Sequence, residues 1–183
     1  MALAFTSPPT FLPLSTTPEY QPGVYDGGYS ANTIGYLQNY IPITFDTSSP
    51  GVPNYADAAI SNITVPNLVE RQLNKQNNGF YTVGGTTTVN NGDTVRKSGR
   101  SSGVTTGKVY NNDVTVKVWY TSNDYAVFQD QIMVVSGSFS KPGDSGSAVD
   151  KNGQFVGLLF AGSQSTTIIS KQEHIVNALG VTI

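Results

Sequence analysis

Cysteine is absent from this 183-residue chain. Disulfides, thiol nucleophiles and cysteine metal sites are therefore excluded, and stability must come from packing. Histidine occurs once, at position 174. Charge is also sparse: Asp, Glu, Lys and Arg make up 12% of the residues, the formal net charge is -2, and the sequence pI is near 5.2. The ten Lys and Arg are scattered except for Arg96, Lys97 and Arg100, so there is no basic footprint and no nucleic-acid partner is expected. Long apolar runs are missing too. Prolines at 8, 9 and 13 interrupt MALAFTSPPTFLPL and no basic residue opens it, so neither an export signal nor a membrane contact is expected from this chain. The compartment stays open, because an upstream segment could carry its own signal.

The chain is instead rich in turn and strand formers. With 19 glycines and 38% hydrophobic residues, it reads as an all-β protein of many short strands. Residues 1 to about 30 are dense in Pro, Ser, Thr, Gly and Tyr and read as loop. TIGYLQNYIPI (33–43) and YADAAISNITV (55–65) read as two strands of one sheet, and NLVERQLNKQNNG (67–79) as a connector with a weak helical pattern. Asn90 to Asp93 and Lys151-Asn152-Gly153 are hairpin signals. Between 80 and 170 about six strands are expected, VTTGKVYN and DVTVKVWY among them, at the spacing of an antiparallel barrel. One helix is expected at the end, with Ser170 and Glu173 as a capping box, an Ile175, Val176, Leu179 stripe, and Gly180 as its stop. It should dock on the outside of a barrel.

The chemically suggestive stretch is SFSKPGDSGSAVD (138–150). Gly143-Asp144-Ser145-Gly146 can form a sharp turn that exposes a serine hydroxyl and aims backbone N–H groups at one point, as acyl transfer requires. The same four residues also suit a plain turn. Other chemistries find no support: the carboxylates are dispersed, Gly84-Gly85 matches no phosphate loop, and the tyrosines at 20, 25, 29, 36 and 40 lack basic interleaving. No cofactor or metal is expected.

GDSGSAV, followed by a hairpin and FVGLLFAGS, resembles the chymotrypsin-like serine peptidases. YADAAIS resembles the segment around their triad aspartate, and VRKSGRSSGVTTGKV and QPGVYDGGYSANTIGYLQNYIPI resemble segments of Cys-free bacterial-type members. The resemblance spans most of residues 20 to 180, in the family's order. It implies a double β-barrel with a C-terminal helix, divided into a remnant of the N-terminal barrel plus connector (1–75) and a C-terminal barrel with the helix (76–183). It implies Ser145 as nucleophile, Gly143 and Ser145 as oxyanion-hole donors, Asp57 as the orienting acid, and Phe160, Ala161 and Gly162 as the substrate-pairing edge. Phe139, six residues before the serine, would form the base of the primary specificity pocket and, lacking a carboxylate, would favour a neutral or small side chain. Peptides or proteins are the implied substrates.

One part of the pattern is missing. The family carries its histidine upstream of the aspartate, whereas His174 follows the serine and reads as a helix residue. The α/β-hydrolase order Ser, Asp, His fails as well, because Ser147 stands where G-x-S-x-G needs glycine. The chain is expected to be inactive alone, with the first barrel incomplete. Its histidine would lie on a separate N-terminal fragment acting as a second chain, or have been lost by truncation. The alternative is a non-catalytic, peptidase-like interaction module that binds a strand or peptide.

Overall fold

The computed structural model describes residues 2–3, 16–65, 73–74 and 79–183. Twelve strands and one α-helix are found among them. Strands β1 (Ala2–Leu3), β2 (Pro18–Tyr20), β3 (Thr33–Tyr40) and β4 (Ala59–Ile63) form an open antiparallel sheet in the order β1-β4-β3-β2. The two strands expected over 33–43 and 55–65 are indeed partners, with Leu37 opposite Ser61 and Tyr40 opposite Ala59. β5 (Leu73–Asn74) pairs only with β6 (Phe80–Tyr81). The weak helical pattern expected over 67–79 falls largely outside the described residues.

The second half closes. β7 (Thr94–Gly99), β8 (Gly103–Trp119), β9 (Tyr125–Val135), β10 (Ala148–Lys151), β11 (Gln154–Gly162) and β12 (Thr166–Lys171) form a six-stranded barrel in the order β10-β11-β12-β9-β8-β7. Closure gives every strand of the ring a neighbour on both sides, though not along its whole length. Its interior is filled by Val95, Val109, Ile132, Val134, Phe139, Val149, Val156, Leu159 and Ile169. The expected Asn152-Gly153 hairpin joins β10 to β11, both residues in the left-handed region (φ 55° and 81°). VTTGKVYN and DVTVKVWY are not two strands but one 17-residue strand, β8. Register shifts between Val109 and Val116 absorb the Asn111-Asn112-Asp113 break without ending it.

Helix α1 (Gln172–Leu179) packs Ile175, which is fully buried, against Phe155 and Leu158 of β11 and against Ala56 and Ala58. Gly180 ends it in the left-handed conformation, as expected. The Ser170 capping box is not formed. The helix starts at Gln172 after Lys171, because Ser170 is still in β12 and its hydroxyl serves another group, described below.

Candidate active site

The Gly143–Gly146 turn lies between the barrel core and solvent. Asp144 is fully buried and Ser145 exposed. Gly143 has φ +96°, and a Cβ there would collide with Ser101 Oγ, so only glycine fits. The turn is anchored from beneath by the Asp144 carboxylate. It accepts from the N–H groups of Ser101 (2.8 Å), Ser102 (3.1 Å) and Lys141 (2.9 Å) and from the Ser102 hydroxyl (2.5 Å). The Lys97 ammonium lies 3.1 Å away and is itself fully buried. Burial acts to raise the pKa of Asp144, but the Ser102 hydroxyl, the backbone donors and Lys97 outweigh it and hold it at about 2. The Asp144 carboxyl lies against Gly99, where a Cβ would strike Oδ1.

Two donors remain free. Among the described residues neither the Gly143 nor the Ser145 N–H donates to a protein acceptor, while Asp144 and Gly146 donate to Lys141 O and Leu159 O. Unpaired N–H groups on an exposed turn next to a serine hydroxyl suit an incoming oxyanion. The Ser145 hydroxyl itself makes one long bond, 3.4 Å, to the carbonyl of Phe160. No imidazole takes part in it.

Phe160, Ala161 and Gly162 lie at the end of β11. Ala161 and Gly162 pair with Ile168 and Thr167 of β12 on one side, whereas the ladder to β10 ends at Leu158. Leu159 still exchanges bonds with Gly146 N–H and Ser147 O, so the edge on the nucleophile side opens only from Phe160 on, where an extended peptide could add as a strand. The register shift between Leu159 and Ala161 puts Phe160 at a bulge, with its ring buried in a cluster with Ala126, Phe128 and Ile168.

Asp57 reaches this region through the segment before β4. Asn54 N–H donates to Val127 O (2.8 Å), Gln131 Nε2 to Tyr55 O (2.8 Å), and Asp57 N–H to Ser170 Oγ (3.2 Å). These bonds lash residues 54–57 to β9 and β12 and account for Ser170. The Asp57 side chain is buried, and the Tyr120 hydroxyl donates to its Oδ2 at 3.0 Å. Burial pushes its pKa up to about 6, only partly offset by that bond. Tyr120 is raised by the same burial and by Asp57, and stays a donor. Tyr120 packs against the same cluster as Phe160, whose carbonyl accepts from the Ser145 hydroxyl.

Phe139 requires a correction. It is completely buried in the barrel core, against Gly107 and Val134, so its side chain cannot line a substrate pocket. The adjacent Ser140 is half-buried, and its hydroxyl meets Thr167 Oγ1 at 2.5 Å, making the link from the nucleophile loop to β12 polar and uncharged. His174 lies elsewhere: its Nε2 is 2.7 Å from Asp130 Oδ2, a carboxylate that Lys171 also contacts, and its ring rests on Tyr55.

Sequence reasoning missed Lys97, Tyr120 and Ser170. The signal for Lys97 was available: strand alternation puts it on the same face as Val95, and a cation on a core-facing position needs a buried anion.

Comparison with solved structures bears on the fold. The chain superposes on a glutamic acid-specific serine protease with TM-score 0.65 at 19% identity, covering 86% of this chain and 76% of that one. It superposes equally well on the Cellulomonas bogoriensis chymotrypsin (TM-score 0.65, 21% identity, 86% and 79% covered). For the Nocardiopsis protease the values are 0.59, 20%, 82% and 85%. The chain has the chymotrypsin-like fold. No family model matches it, and none of the curated proteins does.

Proposed function

We propose that this chain is the nucleophile-bearing part of a chymotrypsin-fold serine endopeptidase. Ser145 attacks the scissile carbonyl, the Gly143 and Ser145 N–H groups stabilise the tetrahedral oxyanion, residues 160–162 pair with the substrate backbone, and Asp57 orients an imidazole. That imidazole comes from a polypeptide outside this chain. The observation that carries the reading is the exposed Ser145 on a turn whose Gly143 and Ser145 N–H groups have no partner among the described residues, and which is fixed by a fully buried ion pair. Asp57 supports the external histidine. Burial raises the pKa of this carboxyl, and among the described residues only the Tyr120 phenol hydrogen-bonds it and partly offsets that, so an arriving imidazolium would supply the missing opposite charge.

A second reading has its own support. Ser145 directs its hydroxyl to Phe160 O, and the one histidine is engaged with Asp130, as a binding module that never hydrolyses would allow. Hydrolysis of a quenched-fluorescence peptide library separates the two. The chain combined with a polypeptide that supplies the imidazole should cleave peptides, Ser145→Ala should abolish cleavage, and Asp57→Asn should lower the rate by about 10⁴-fold. Lack of cleavage by the combined protein would favour the binding module.

A further inference from the structure

The turn Arg100–Ser102, between β7 and β8, meets the nucleophile turn at Gly143 and Asp144, whereas Leu159 and Phe160 meet it at Ser145 to Ser147. Arg100 Nε donates to Asp26 Oδ2 at 2.6 Å, and Nη2 contacts Asp26 Oδ1. Its guanidinium also lies over the ring of Tyr25, 4.8 Å from the centroid. The other edge of the guanidinium is less committed: Nη1 makes one long bond, 3.4 Å, to Ser101 Oγ. That edge faces Gly143, since a Cβ on this glycine would lie 2.9 Å from Nη1. A guanidinium clamped along one edge keeps a donor of fixed aim on the other.

We infer that Arg100, Asp26 and Tyr25 form a subsite for the peptide that follows the scissile bond. The inference rests on reading Ser145 as the nucleophile. With the acyl part of the substrate along 160–162, the leaving part must pass the Gly143 side of the turn, toward Arg100. There Nη1 donates to a main-chain carbonyl of the leaving peptide. Asp26 already balances the charge of Arg100, so the subsite takes a neutral acceptor and offers an acidic side chain no unpaired cation to offset its desolvation. The Tyr25 ring, 90% exposed, gives an apolar or aromatic side chain a surface to pack on.

The test uses product-like ligands, so it does not depend on turnover. In ¹⁵N NMR titrations of the chain, Ala-Phe-amide should move the Gly143 and Ser101 amide signals and the Arg100 Nε signal, and Ala-Glu-amide should bind more weakly. Arg100→Met, which keeps the aliphatic stem but removes the donors, should weaken Ala-Phe-amide by about tenfold. Tyr25→Ala, a change at an exposed position, should erase the preference for Phe over Ala in the second residue. Equal binding of the Phe and Glu ligands, or unchanged binding by Arg100→Met, would overturn the subsite. Fluorophosphonate labelling in the presence of a polypeptide that supplies the imidazole reads the nucleophile separately. Labelling of Ser145 without dipeptide shifts defeats the subsite alone, whereas shifts without labelling defeat the nucleophile reading and the leaving-side assignment with it.

Discussion

Asp57 is held in an environment that favours its neutral form. Its folded-state pKa of about 6 lies above the ordinary carboxylate value of 3.8. Such a group stabilises the fold while protonated, and that contribution is lost as pH rises from about 4 through about 6. Ionising it at neutral pH costs about 3 kcal/mol by linkage. Asp57→Asn should therefore leave denaturant stability at pH 4 nearly unchanged and raise it at pH 7.5, with a flatter pH dependence between the two. Equal effects at both pH values would contradict the assigned burial. Asp144 has the opposite sign, since its pKa of about 2 means stability held above pH 4 and lost only in strong acid. Its partner is indispensable: Lys97→Met leaves a buried carboxylate without a cation and should cost about 3–5 kcal/mol. The double variant Lys97→Met/Asp144→Asn should recover most of that loss in urea unfolding. The charge pattern hints at Lys97, but the partner's identity is not legible along the chain, because it is set by the barrel bringing residues 97 and 144 together.

At the scale of elements, α1 and β12 hold the Asp57 segment to the barrel. Ile175 is fully buried among Phe155, Leu158, Ala56 and Ala58. Ile175→Ala should destabilise the protein by about 2–5 kcal/mol, and amide exchange at residues 56–58 should accelerate more than in β7 or β8. Uniform acceleration would mean that the helix is not a specific brace. The helix and its Gly180 stop were legible because periodicity and terminal signals are local. The Ser170 cap was misread for a tertiary reason, since its hydroxyl is claimed by the backbone of a residue 113 positions away. β12 itself escaped notice, although the β-branched run Thr166–Ile169 carries strand propensity. Phe139 was misplaced because counting back from a serine says nothing of which way a loop residue turns, and the hollow at Gly107 draws its ring into the core.

The whole molecule combines a closed six-stranded barrel with an open four-stranded sheet, and the candidate site lies where the segment leading into that sheet meets the barrel. The barrel supplies the serine turn, the two free N–H groups and the open strand edge, while the chain before β4 supplies the carboxyl. The order of these pieces was readable from short motifs; the tertiary bonds of each, Asp57 with Tyr120 and Ser170 and Asp144 with Lys97, required the fold. The base is the piece to be found, and intact-protein mass spectrometry after exposure to a fluorophosphonate asks for it directly. The account predicts that the chain alone labels no faster than its Ser145→Ala variant, and that adding a polypeptide that supplies the imidazole yields one stoichiometric adduct on Ser145. Rapid labelling of the chain alone would show that a base is already present, and absence of labelling in both conditions would show that Ser145 is not a nucleophile.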